Sequence, residues 1–133
     1  MSDLLSFNKP CLFIDDLRMP PEDGRHWIVV RTSAAAIAWM RKHGIPEYIS
    51  FDHDLGDDDT GMKVAYWMAK NLLEPKNMTW AEKWFAYLSG DYTKLKLPRK
   101  FRYYVHSQNP VGKQNIERLM QLLIEEVGKD KKK

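Results

Sequence analysis

The chain has 133 residues, 44% of them hydrophobic and 12% aromatic, and a formal net charge of +3. That make-up excludes a disordered chain, and the length suits one domain with a core of its own. A single cysteine, Cys11, excludes an internal disulfide and fits a reducing compartment, while no apolar run approaches the roughly 20 residues of a membrane span.

The opening stretch MSDLLSFNKP lacks the basic start and long apolar core of a signal peptide, so a cytoplasmic, membrane-free protein is expected. CLFID (11–15) is a short apolar run closing on carboxylates, which reads as a buried strand with Cys11 as a small core residue. DLRMPPEDG follows, and Pro20, Pro21 and Gly24 leave no room there for a useful helix. HWIVVR (26–31) is rich in β-branched residues and predicts a second strand. Thr32 or Ser33 then caps a helix through about Lys42, ended by Gly44 and Pro46.

EYISFD (47–52) predicts the third strand. Beyond it Thr60 can cap a helix whose apolar positions Met62, Ala65, Met68, Ala69, Leu72 and Leu73 share one face, with Pro75 as its stop. TWAEKWFAYL (79–88) opens with the capping-box pair Thr79 and Glu82, so residues 75–100 are expected to hold a helical insert. RYYVH (102–106) predicts the fourth strand. Asn109 and Pro110 suit the start of a last helix with the stripe Ile116, Leu119, Met120, Leu123 and Val127, ended by Gly128. Residues 129–133 read as a solvated basic tail.

Alternating strands and helices predict a single α/β domain over 1–133: a small, mainly parallel sheet of about four strands with flanking helices. Ligands of open parallel sheets sit at the carboxyl edge. Strand one ends at Asp15 and Asp16, strand three at Asp52, His53 and Asp54, and strand four at His106 and Ser107. These clusters are expected to meet on that edge.

Asp15, Asp16 and Asp52 offer hard oxygen ligands suited to Mg²⁺ or Mn²⁺. Unscreened, carboxylates this close repel one another. His53 and His106 can serve as general base and general acid in opening a phosphate ester. Arg18 can clamp a phosphate with its planar fork, or pair with Asp16 or Glu22. Ser107, Gln108 and Asn109 precede a helix N-terminus that can hold an anion, and Lys113 adds charge in its first turn, although Asn109 can equally be a cap alone. Asp57, Asp58 and Asp59 read as turn and capping residues. The basic segment 94–102, KLKLPRKFR, with nearby Tyr103 and Tyr104, can be read as a solvated surface or as an RNA contact; nothing points to DNA specificity.

Taken together, LFIDDLR, SFDHDLG followed by TG, and VHSQNP with its downstream glycine and NI resemble the cyclic-phosphate-processing receiver-like domain, a divergent relative of response-regulator receivers. The likeness runs from about Pro10 to Val127. It implies that Asp15 and Asp16 match the receivers' acidic pair, Asp52 their phosphate-accepting aspartate, and Thr60-Gly61 the opening of the helix after it. Two departures matter. The helix between the first two strands is replaced by LRMPPEDGRH, and the last strand ends in His106 where receivers carry a lysine. One strand is also missing or replaced by 75–100.

The resemblance implies metal-assisted hydrolysis of cyclic phosphates, such as 2′,3′-cyclic RNA ends or cyclic nucleotides. Asp15, Asp16 and Asp52 would hold Mg²⁺ or Mn²⁺, His53 or Asp54 would act as base, His106 as acid, and Arg18 with Asn109 would steady charge. The other readings are a non-catalytic module that binds a ligand or partner, and a phosphoaccepting receiver.

Overall fold

The computed structural model describes residues 9–73 and 95–131, with Thr79, Ala81, Glu82 and Leu88 between them. In chain order these form β1 (Pro10–Ile14), β2 (His26–Val30), α1 (Ser33–His43), β3 (Tyr48–Phe51), α2 (Gly61–Leu73), β4 (Arg102–Val105) and α3 (Pro110–Lys131). The four strands make one parallel sheet in the order β2-β1-β3-β4.

Strand periodicity assigns the faces. Leu12, Ile14, Ile49, Phe51 and Val105 alternate onto one side, where they share a buried core with Ala36 and Met40 of α1, Val64 and Met68 of α2, and Ile116, Met120 and Leu123 of α3. At about 25 cal/mol per Å² of apolar area removed from water, this helix-backed core is the main source of stability. Phe13 and Ser50, one residue out of phase, turn to the opposite face. Parallel neighbours usually need a crossover helix, yet residues 15–25, which join β1 to β2, contain none. The loop is tied down instead by Arg31, whose Nη1 donates to the carbonyls of Asp15 (3.0 Å) and Arg18 (2.6 Å). That side of the sheet is therefore not covered by a helix from this connection.

Local signals account for most boundaries. Thr32 caps α1 by accepting from the Ala35 N–H at 3.0 Å, and Gly44, at φ +85°, closes it with an N–H bond to the Met40 carbonyl. In the capping pair of the insert, Glu82 N–H donates to Thr79 Oγ1 at 3.2 Å. The rest of the predicted helix over 79–88 lies mostly outside the described residues.

One stop signal does not act. α3 continues through Gly128 to Lys131, because Gly128 does not take the left-handed conformation that ends a helix, as Gly44 does at α1. The expected tail therefore begins as helix. Around the basic segment, Leu97 and Phe101 are core residues, while Lys96, Arg99, Lys100 and Arg102 are exposed. Phe101 is thus not a surface platform for stacking. Among the described residues no helix is long and apolar enough to cross a membrane.

A candidate metal and phosphate site at the carboxyl edge

Sheet register brings the site together. Ile14 stands opposite Phe51, and Phe51 opposite Val105, so the next residues, Asp15, Asp52 and His106, lie side by side. Main-chain bonds continue across them: Asp52 N–H to the Ile14 carbonyl at 2.9 Å, and His106 N–H to the Phe51 carbonyl at 2.9 Å. Each follows a strand residue that faces the helices, so the alternation turns all three side chains away from the core. Each brings one potential ligand atom within 4.8 Å of the others.

Asp15 is 1% exposed, and a carboxylate that deep must be fully hydrogen-bonded. Its Oδ1 accepts the N–H groups of Leu17 (2.9 Å) and Arg18 (2.8 Å), and its Oδ2 meets His106 Nε2 at 2.8 Å. Burial alone would push its carboxyl up, but the Arg18 and Leu17 N–H groups and the His106 ring outweigh it and hold Asp15 below the usual range. An ionised Asp15 only accepts, so Nε2 of His106 carries a proton. In the neutral ring Nδ1 then accepts from the Ser50 hydroxyl, 2.8 Å away. Phe13 stacks on the same ring, 4.8 Å between centroids and 2° from parallel. His106 is held on three sides.

Asp52 is different. Burial and the neighbouring Asp15 charge push its carboxyl above the ordinary value, against the opposing pull of His106, the His53 N–H and Arg18. Its Oδ1 accepts the His53 N–H at 2.8 Å. Two aspartates whose charges oppose each other, one fully bonded and one only partly, form an arrangement that a cation would relieve. The oxygen donors suit a hard divalent ion. The residues present therefore fit a metal, held by Asp15 and Asp52.

The remaining expected residues divide into those that line the cleft and those that do not. A cavity of about 340 Å³ is bounded by Asp15, Asp16, Arg18, Asp52, Asp54, Ser107 and Asn109, with Leu17 and Gln108. Asp16 lines it without joining the three converging groups; its Oδ2 lies toward Gly56. Arg18 donates through Nη1 to the His106 carbonyl at 3.1 Å, and among the described residues it makes no ion pair with Asp16 or Glu22. Asn109 is the cap of α3: its Oδ1 accepts the Gly112 N–H at 3.0 Å, while its own N–H donates to Ser107 Oγ at 3.1 Å. Lys113 lies in the first turn of α3 outside the cavity wall. His53 and His106 take separate partners. His53 Nδ1 meets Asp54 Oδ1 at 3.2 Å, and its ring lies against Gly112, where a Cβ would come within 2.3 Å of it.

Asp57 and Asp58 adopt positive φ after Gly56, and this turn returns the chain so that Asp59 reaches across to α1. There its carboxylate accepts the Ser33 N–H at 2.8 Å and a short bond from the Ser33 hydroxyl. The capping reading of this acidic run describes Asp59, which caps a helix other than the one that follows it.

A family model described as the cyclic-phosphate processing receiver domain matches residues 11–122. The chain belongs to that family. Comparison with curated proteins and with solved structures gives no match.

In this member of the family, His106, which follows the fourth strand, is bonded through Nε2 to Asp15 at the end of the first. Ser50, Phe13 and Arg31 were not marked by sequence reasoning. Ser50 carried a signal all the same: a small polar residue between Ile49 and Phe51 must face away from the core and needs a partner there. Nothing local marked Arg31, whose two carbonyl partners come from a loop of no regular structure.

Proposed function

We propose that this protein is a metal-dependent phosphoesterase that opens cyclic phosphates, on free nucleotides or at RNA ends. The observation that carries the reading is the register-matched trio Asp15, Asp52 and His106 beside Arg18 and the α3 N-terminus. The family's description supports it. A bound Mg²⁺ or Mn²⁺, held by Asp15 and Asp52 with Asp16 nearby, would polarise the phosphoryl oxygens and acidify a water.

The chain's own residues do the rest. Arg18 and the α3 N-terminus, capped by Asn109, orient the anionic phosphate, with Lys113 adding charge farther along the first turn. His53, paired with Asp54, takes the proton of the attacking water. The new P–O bond forms as the ring P–O bond breaks. The leaving ribose oxygen takes the Ser50 hydroxyl proton, and the doubly protonated His106 ring replaces it from Nδ1, leaving the ring neutral with its Nε2 proton still donated to Asp15. Asp15 keeps that imidazole in place and stabilises its charged form.

Incubation with 2′,3′-cyclic and 3′,5′-cyclic nucleotides, with and without Mg²⁺ or Mn²⁺, tests this. Metal-dependent ring opening, lost in His106→Asn and in Asp52→Asn, is expected. Absence of turnover across the panel, or turnover indifferent to chelator, overturns it. The complete hydrogen bonding of Asp15 and His106 also favours a second reading, a pocket that holds such ligands without turning them over. Tight binding without product, unchanged in His106→Asn, would select it.

A further inference from the structure

Next to the acidic cleft, on the sheet face that the β1–β2 connection leaves without a helix, lies a second cavity of about 410 Å³. Its walls are Phe13, Trp27, Tyr48 and Tyr104 from the strands, with Met19 and Pro21 from the loop. We propose that this cavity is a nucleobase subsite, which makes the ligand a nucleoside cyclic phosphate and not a cyclic phosphate of any kind. The inference rests on the phosphoesterase reading and extends it to the other half of the ligand.

Three observations carry it. The first is the kind of surface. Parallel strands normally bury both faces, yet here Tyr104 is 55% exposed and Met19 71%. Three of the four aromatic rings, those of Trp27, Phe13 and Tyr48, are held in place before any ligand arrives. Trp27 donates through Nε1 to Asp23 at 3.0 Å, meets Phe13 edge-on at 5.7 Å and lies 5.4 Å from Tyr48. Preset aromatic faces stack bases of any sequence.

The second is size. Small-molecule sites run from about 300 to 1,000 Å³, and this cavity falls within that range. It is lined mainly by apolar and aromatic groups with a few polar ones, Asp23 and Ser50 among them.

The third is continuity. Arg18 lines both cavities. His106 stands at the partition, its ring stacked on Phe13 and bonded to Ser50 on one side and to Asp15 on the other. A ribose at this partition would leave the phosphate beside Arg18 and Asp52, the leaving oxygen beside His106, and the base among the rings.

The test compares ligands that differ only in the base. Affinities of the full chain for adenosine and uridine 2′,3′-cyclic phosphates are measured against methyl ribofuranoside 2′,3′-cyclic phosphate, which keeps the sugar and lacks the base, with the Trp27 indole N–H followed by NMR. A base should tighten binding by at least about fivefold and shift the Trp27 signal. Tyr104→Ala, at an exposed position, should erase that advantage, and Trp27→Phe should keep part of it. Equal affinity with and without a base, or an advantage untouched by Tyr104→Ala, overturns the subsite even if cyclic phosphates are hydrolysed. Base-dependent binding without turnover sustains the subsite and sinks the enzyme instead. A short RNA ending in a 2′,3′-cyclic phosphate separates the sources: tighter binding than the mononucleotide assigns an RNA end, and equal binding a free nucleotide.

Discussion

Asp15 Oδ2 lies 2.8 Å from His106 Nε2 although 91 residues separate them, and Nδ1 of the same ring lies 2.8 Å from Ser50 Oγ. One imidazole thus joins three neighbouring strand ends or strands at the site. Removing it leaves a buried carboxylate short of a partner. His106→Ala is expected to lower stability by about 1.5–3 kcal/mol, and Ser50→Ala by roughly 1 kcal/mol. Urea unfolding of the two variants checks this, and a neutral His106→Ala would show the relay to be incidental.

Asp52 opposes folding where Asp15 supports it. Its carboxyl is raised above the ordinary aspartate value by burial and by the Asp15 charge, so the folded state prefers the protonated form. Between the ordinary value and the raised one, stability should fall as pH rises, and the penalty is complete above the raised value. Asp52→Asn is therefore expected to stabilise the metal-free protein, by on the order of 1 kcal/mol. The same variant should lose the rise in Tm that divalent cation gives the unmodified chain. Thermal scans with and without Mn²⁺ measure both effects.

Asp59 has the opposite sign. Burial works against its charge, but the Ser33 hydroxyl and N–H, with Lys63 and the Thr60 N–H, hold its carboxyl below the usual range. Its contribution is present above the ordinary aspartate value and is lost as pH falls through the lowered one. Asp59→Ala should cost about 1.5–3 kcal/mol at neutral pH, and the gap to the unmodified protein should narrow in acid. A gap constant with pH would mean that charge has no part in it.

Two glycines protect the site by their size. A Cβ on Gly61 would lie 2.0 Å from the Asp52 carbonyl oxygen, and one on Gly112 would lie 2.3 Å from the His53 ring. Gly61→Ala must move backbone and should cost about 1–3 kcal/mol, with Asp52 displaced. Gly112→Ala meets a side chain that can rotate, so its main effect is expected on His53: a shifted imidazole NMR signal with little change in Tm.

Much of this was legible in the linear chain because it depends on local chemistry. Apolar runs and, for the second strand, β-branched residues marked the four strands, and Thr32, Gly44 and Asn109 act at the helix ends where their side chains or conformations suit them. Gly128 misled, since glycine permits a helix stop without compelling one. Asp16 and Asp15 are adjacent and alike in sequence; the fold distinguishes them by turning two N–H groups, of Leu17 and Arg18, and the His106 ring onto Asp15.

The sequence by itself determined that carboxylates and imidazoles would gather at one sheet edge, because parallel strands share their carboxyl ends and each strand here finishes in polar residues. Only the tertiary structure decided the partners. Pairing register brought Asp15, Asp52 and His106 to within 4.8 Å of one another, and strand parity turned Ser50 and Phe13 toward the same ring. The β1–β2 loop, which contains no helix, leaves an aromatic cavity open beside it. Register and parity are properties of paired strands, so no single segment of the chain can display them.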